Sequence, residues 1–208
     1  MFKKLLFLLF LISANALQAQ ISDLRLIGGL DIRNSFIRQN PVKIYGAYLG
    51  VTIREKERFT IGAYALTPES SRDLVAIRSN NTVTITNARL FYTGIGYSYR
   101  FVRWKFISLH LPLEAGIGYT QSSRLERRGG QDILLSDDHG FFPVQAGLRL
   151  ELRLTPWVGL AGTSGYRLAL LNEEYQADYN GLYYTFGLSF YLSKIYKDLL
   201  YLNETYGE

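Results

Sequence analysis

The sequence predicts an all-β chain folded as an eight-stranded antiparallel up-and-down transmembrane β-barrel. Three observations lead there. In Val144–Leu154, Val144, Ala146, Leu148, Leu150, Leu152 and Leu154 share one parity, and Gln145, Gly147, Arg149, Glu151 and Arg153 share the other. Successive side chains of a strand point to opposite faces, so this segment carries one apolar face and one polar, charged face. The same pattern recurs about eight times along the chain. A barrel in lipid satisfies both faces at once, with apolar residues outward and polar residues in the lumen. The third observation is an alternation of connection lengths, described below.

The elements follow in chain order. Lys3 and Lys4, the apolar run Leu5–Ile12 and the small residues up to Ala19 read as a secretory signal peptide cleaved after Ala19. Its apolar core falls well short of the ~20 residues that a spanning helix needs. The expected divisions are therefore a signal peptide over 1–19, the barrel over 20–193 and a charged periplasmic tail over 194–208. The absence of Cys argues against a lipoprotein and against a disulfide framework. Tyr 16, Phe 12 and Gly 19 suit interface girdles and a crowded, curved wall. Mean hydropathy is only −0.01, as expected when every second residue meets lipid.

The first strand covers Leu24–Ser35, with Leu24, Leu26, Leu30 and Ile32 outward and Arg25, Asp31 and Arg33 inward. Ile44–Arg54 turns out Tyr45, Ala47, Leu49, Val51 and Ile53, and Arg58–Thr67 turns out Phe59, Ile61, Ala63 and Ala65. The fourth strand lies within Val83–Phe101, with Phe91, Ile95, Tyr97, Tyr99 and Phe101 on lipid. Lys105–Tyr119, Val144–Leu154, Val158–Leu168 and Leu182–Leu192 complete the eight. Links after strands two, four and six are short: Glu55–Glu57, Val102–Trp104 and Thr155–Pro156. Links after one, three, five and seven are long: Phe36–Lys43, Pro68–Thr82, Thr120–Pro143 and Ala169–Gly181. Short periplasmic turns alternating with long outer loops put both termini in the periplasm.

The inward parity is expected to form a polar lumen network from Arg25, Asp31, Arg33, Glu114, Arg149, Glu151, Arg153 and Arg167, with Arg100 nearby. An eight-stranded barrel has an interior that its own side chains fill, so these charges read as a salt-bridged plug rather than an open pore. A gated ion path or a small polar ligand site is the sharper alternative. Glu114, near mid-strand with several arginines available, is the expected acidic hub. Arg124, Arg127 and Arg128 in the longest link suit phosphate, hence contact with lipopolysaccharide, although an exposed loop with ordinary charges explains them as well. His139, in Asp137-Asp138-His139, lacks metal-ligand spacing, so neither metal nor cofactor is expected. Two lysines of the +5 net charge belong to the signal peptide, and secretion argues against nucleic acid.

The signal peptide, Leu109–Gly116 and the closing run Tyr184–Leu192 together resemble the small outer-membrane β-barrel domain family of Gram-negative bacteria, the fold of the membrane domain of outer membrane protein A. The resemblance spans about 170 residues as a pattern, without a signature motif. It implies the fold, residence in the outer membrane among lipid and lipopolysaccharide, and insertion by the barrel-assembly machinery through Phe186–Leu192. It implies little about activity. Such barrels often end on a terminal aromatic, whereas this chain continues through Ser193–Glu208. The expected function is a non-enzymatic monomer with a structural, adhesive or envelope-interaction role through its outer loops. A lipid hydrolase built on Ser108, His110 and Glu114 is an alternative, weakened because residues i and i+2 of a strand lie ~7 Å apart. A soluble periplasmic lipocalin-like binder with inverted faces is another, disfavoured because its exterior would carry the Arg/Glu parity.

Overall fold

The computed structural model describes residues 24–37, 40–67, 76–79, 82–128, 131–170 and 180–206. Its elements are β1 (Arg25–Ile37), β2 (Asn40–Ile53), β3 (Glu57–Leu66), β4 (Ala76–Ser79), β5 (Thr82–Arg103), β6 (Ile107–Arg128), β7 (Gln131–Arg153), β8 (Val158–Leu170), β9 (Gly181–Phe190) and α1 (Leu192–Tyr206). Pairing is antiparallel throughout. β1 bonds to β2 on one side and to β9 on the other, and β3 bonds to β5. The ladder therefore closes through eight strands, with β4 as an extra four-residue strand on the start of β5. Closure gives each of the eight barrel strands a partner on both sides, which is what a strand structure in lipid requires.

The outward parity is apolar and uncovered: Leu30, Leu49, Ile61, Ile95, Ile117, Leu160 and Phe186 are all exposed, Ile95 by 67%. Every one of the fourth strand's expected lipid-facing residues, from Phe91 to Phe101, is exposed. Such a surface suits acyl chains and not water. Aromatic cross-strand pairs reinforce it, Phe59 with Tyr97 at 5.2 Å and Phe91 with Tyr119 at 6.1 Å between ring centroids. Among the described residues no helix is long and apolar enough to cross a membrane.

The inward parity is polar and tight. Gly29 and Gly46 are required where they stand, because a Cβ there would overlap the rings of Tyr48 and Tyr64, which lie across the lumen. At one end, which carries α1, the strands are joined by three turns, at 54–56, 104–106 and 154–157. At the opposite end lie the hairpins. A β-bulge between Arg100 and Val102 shifts the register against β6 near the helix end.

Four sequence expectations need correction. The link expected over Phe36–Lys43 is largely ladder, because β1 and β2 pair out to Ile37 and Asn40. Pro41 sits at the end of that ladder, where a missing N–H is tolerated. The link expected over Thr120–Pro143 is a continuous hairpin whose pairing runs to Arg128 and Gln131. Part of the Pro68–Thr82 link is β4, paired with the start of β5. Finally, the closing strand ends at Phe190, and the expected tail is a helix.

Candidate functional site

The lumen holds two ionic clusters stacked along the barrel axis. The one nearer the hairpin end is built on Arg33, which β1 turns inward. Its Nη1 and Nη2 donate to the two carboxylate oxygens of Glu114 on β6 at 2.7 and 2.8 Å, a bidentate pair. Its Nε donates to Asp31 Oδ2 at 2.9 Å and Nη1 also donates to the Tyr92 hydroxyl at 3.0 Å. The guanidinium lies 3.6 Å above the ring of Tyr64, which itself stacks on Tyr92 at 4.9 Å. Gln145 completes Glu114 by donating at 3.1 Å. Glu114 is thus an acidic hub with its charge spread over several donors, which is the condition for burying a carboxylate.

The second cluster centres on Glu151 of β7. Arg58 donates to it through both Nη atoms, at 2.8 and 3.2 Å, and the Tyr191 hydroxyl donates at 2.7 Å. Arg149 lies 3.5 Å from the same carboxylate and donates to Tyr48 and Ser189 at 2.9 and 2.8 Å. Between the clusters is a cavity of about 60 Å³, lined by Asp31, Arg33, Arg149 and Tyr183 among others. Space of this size with polar walls suits a few waters rather than an organic ligand.

At the helix end the lumen opens into a vestibule of about 270 Å³. Arg25, Arg58, Arg100, Arg153 and Lys194 line it against only two carboxylates, Glu55 and Glu151. Glu55 stands in the β2–β3 turn and gathers Arg25, Arg100 and Arg103 around one carboxylate. Arg25 therefore lies at the rim, half exposed, and not in the lumen where its parity had put it. The reason is its place at the very start of β1, beyond the enclosed part of the barrel. Arg153 also belongs to this mouth, its guanidinium 4.6 Å over the ring of Tyr191. Arg167 lies at the hairpin end of the lumen, opposite Gln145, fully buried and 5.9 Å over the Tyr183 ring. Among the described residues its three guanidinium nitrogens have no hydrogen-bond partner.

Several members of these clusters were not singled out from the sequence: Arg58, Tyr48, Tyr64, Tyr92, Gln145, Tyr191 and Glu55. Parity placed most of them inward, but the uncharged ones drew no attention, and Arg58 and Glu55 stand at a strand start and in a short turn. Arg124, Arg127 and Arg128 lie in the distal part of β6, opposite Leu135, Asp132 and Gln131; their side chains lie outside the described residues, as does that of His139. Ser108 and His110 do touch, Oγ to Nε2 at 3.0 Å, because their side chains lean together along β6 despite the i, i+2 spacing. Among the described residues the buried Nδ1 of His110 has no hydrogen-bond partner and no third group orients the ring. Among the described residues no three His, Cys, Asp or Glu side chains could hold a metal.

No family model and no curated protein matches the chain. Among solved structures it is similar to a major outer membrane protein of Thermus thermophilus, with a TM-score of 0.52 at 8% identity over 79% of this chain and 98% of that one. It is also similar to Ail, the attachment invasion locus protein of Yersinia pestis (TM-score 0.47, 13% identity, 80% and 96% covered), and to Neisserial surface protein A (TM-score 0.42, 14% identity, 81% and 97% covered). The Thermus likeness shows the fold, a closed antiparallel β-barrel.

Proposed function

We propose that this chain is a non-enzymatic outer-membrane β-barrel protein whose lumen is a structural plug and whose hairpin end works on the cell envelope outside. The observation that carries this reading is the length of β5, β6 and β7, which have 22, 22 and 23 residues. A tilted strand needs only about 9–11 residues to cross the bilayer. The ladder from Gln121–Asp138 to Arg128–Gln131 thus continues as paired sheet past the lipid-facing run that ends at Tyr119. At ~3.3 Å per residue this is an arm roughly 25 Å long. It carries Arg124, Arg127 and Arg128, whose forked donors match the phosphates of lipopolysaccharide. Short turns at the helix end and long hairpins opposite favour both chain ends in the periplasm, a monomer in the outer membrane, and insertion by the barrel-assembly machinery.

The competing hydrolase reading lacks an orienting acid. The carboxylate of Glu151, whose residue pairs with Ser108 across β6 and β7, is occupied by Arg58 and Tyr191. The test is replacement of residues 122–137 by a two-residue turn, beside the triple substitution Arg124→Ala, Arg127→Ala, Arg128→Ala. Both variants should fractionate with the outer membrane and keep the mobility shift between unboiled and boiled samples. Both should bind lipopolysaccharide micelles at least tenfold more weakly, the loss of one charge-assisted contact being worth about that much. Undiminished binding in both would show that the arm is not the working surface. Lipid release abolished by Ser108→Ala would reinstate the enzyme.

A further inference from the structure

α1 is amphipathic. At 100° per residue Leu192, Ile195, Tyr196, Leu199, Leu200 and Leu202 fall on one side, and Lys194, Lys197, Asp198 and Glu204 on the other. Its apolar side is bare: Tyr196 is 64% exposed, Leu199 59% and Leu200 44%. Left in water, that stripe would be a site of non-specific association.

The helix is also pinned. Its Ser193 Oγ accepts from the Leu26 N–H at 2.7 Å, and Asp198 Oδ2 accepts from the indole N–H of Trp157 at 2.7 Å. Asp198 stands six residues into the helix, about 9 Å along its axis. Trp157 is an exposed aromatic of the β7–β8 turn, at the same rim as the exposed Trp104, Phe106 and Leu154. A helix pointing away from the barrel could not still bond a rim tryptophan nearly two turns after its start. It runs along the rim, beside the apolar band of the barrel wall.

We propose that α1 lies in the headgroup layer of the phospholipid leaflet at this rim, with Tyr196, Leu199 and Leu200 in the acyl boundary and Lys197 turned to lipid phosphates. The partner is a phospholipid surface, and the apolar stripe continues the lipid-facing surface of the strands. Low net hydrophobicity with a strongly sided apolar face is the pattern of a helix that lies on a membrane rather than crossing it. The reading rests on the barrel being in a membrane.

The chain has no cysteine, so single substitutions label uniquely. Spin labels are placed on the full barrel by Leu199→Cys, Lys197→Cys and, on the barrel wall, Ile61→Cys, in vesicles of phosphatidylethanolamine and phosphatidylglycerol. Folding of each variant is checked by its heat-dependent gel mobility. At Ile61 and Leu199 collision with oxygen should exceed collision with a water-soluble nickel complex, and at Lys197 the order should reverse. If Ile61 reads lipid while Leu199 reads water, the helix is not on the membrane and the proposal falls with the barrel intact. A Leu199 label shielded from both reagents means that a second protein surface covers the helix, which overturns it as well. An Ile61 label in water would overturn the membrane barrel itself and the helix placement with it.

Discussion

Arg33 and Glu114 stand 81 positions apart in the chain and meet as a bidentate pair inside the barrel. Removing one partner of a buried pair strands the other charge, which costs about 3–5 kcal/mol, whereas replacing both by apolar side chains of similar size is often neutral. We therefore expect Glu114→Met and Arg33→Met each to lower the urea midpoint of the unboiled, folded gel band, and the triple variant Glu114→Met, Arg33→Met, Asp31→Asn, which leaves neither of Arg33's carboxylate partners charged, to recover most of the loss. Equal destabilisation by all three would show that packing, and not charge, holds this cluster. The mouth offers a second test. Arg54 and Glu55 have φ of 48° and 57°, a left-handed pair of the kind that two-residue hairpin turns demand and that Asn or Gly usually fills. Arg54→Gly should raise stability by about 1 kcal/mol through relief of that strain. Glu55→Gly relieves the same strain but removes the carboxylate shared by Arg25, Arg100 and Arg103, so it should fall below Arg54→Gly on the same urea series. A Glu55→Gly variant at least as stable would mean that the arginine gathering at Glu55 contributes nothing.

At the level of elements, alternation was legible wherever one face meets lipid. Lys105–Tyr119 and Val144–Leu154 announce their strands because lipid tolerates no outward polar residue. Past Tyr119 that constraint lapses, and Gln121, Ser122, Ser123 and Arg124 follow with no parity to mark a strand. Their order comes from pairing with Asp138, Asp137, Ser136 and Leu135, a relation that no local pattern displays. The helix was missed for a different reason. Its apolar residues at three- and four-residue spacing follow directly on the last strand, and its lysines and acids read as a solvated tail. The tether to Trp157 gives this element a pH dependence. Hydrogen bonds from Lys194 and Trp157 hold the Asp198 carboxylate below its ordinary value. Its contribution is therefore complete above the ordinary carboxylate value and disappears as pH falls through the depressed one. A spin label on Leu199→Cys should be immobile at neutral pH and gain mobility below the ordinary carboxylate range. Asp198→Asn should leave that mobility flat across the same acid range, and an unchanged acid transition in the Asn variant would assign it to another group.

For the whole molecule, strand count and closure were legible because length, turn alternation and outward pattern agree, and eight strands fix a lumen that side chains can fill. Which side chains meet there was not legible. Glu114 stands out in sequence as the lone acid of Lys105–Tyr119, but its partners Arg33, Tyr64 and Gln145 come from three other strands. The tyrosines matter most for transport. Tyr48, Tyr64 and Tyr92 are buried in the lumen, Tyr64 and Tyr92 against the Arg33 cluster and Tyr48 against the Glu151 cluster, and they fill it with neutral bulk that needs no counter-charge. In planar bilayers the native protein should conduct far less than an open porin. Tyr48→Ala with Tyr64→Ala should raise conductance several-fold, since both rings leave the bore without stranding a carboxylate. Neutralising Glu114 and Arg33 together by Met should not, because the replacement side chains still fill the same space. If the charge variant conducts and the tyrosine variant does not, the lumen is gated by its ion pair, and the barrel is a regulated pore rather than a plugged scaffold.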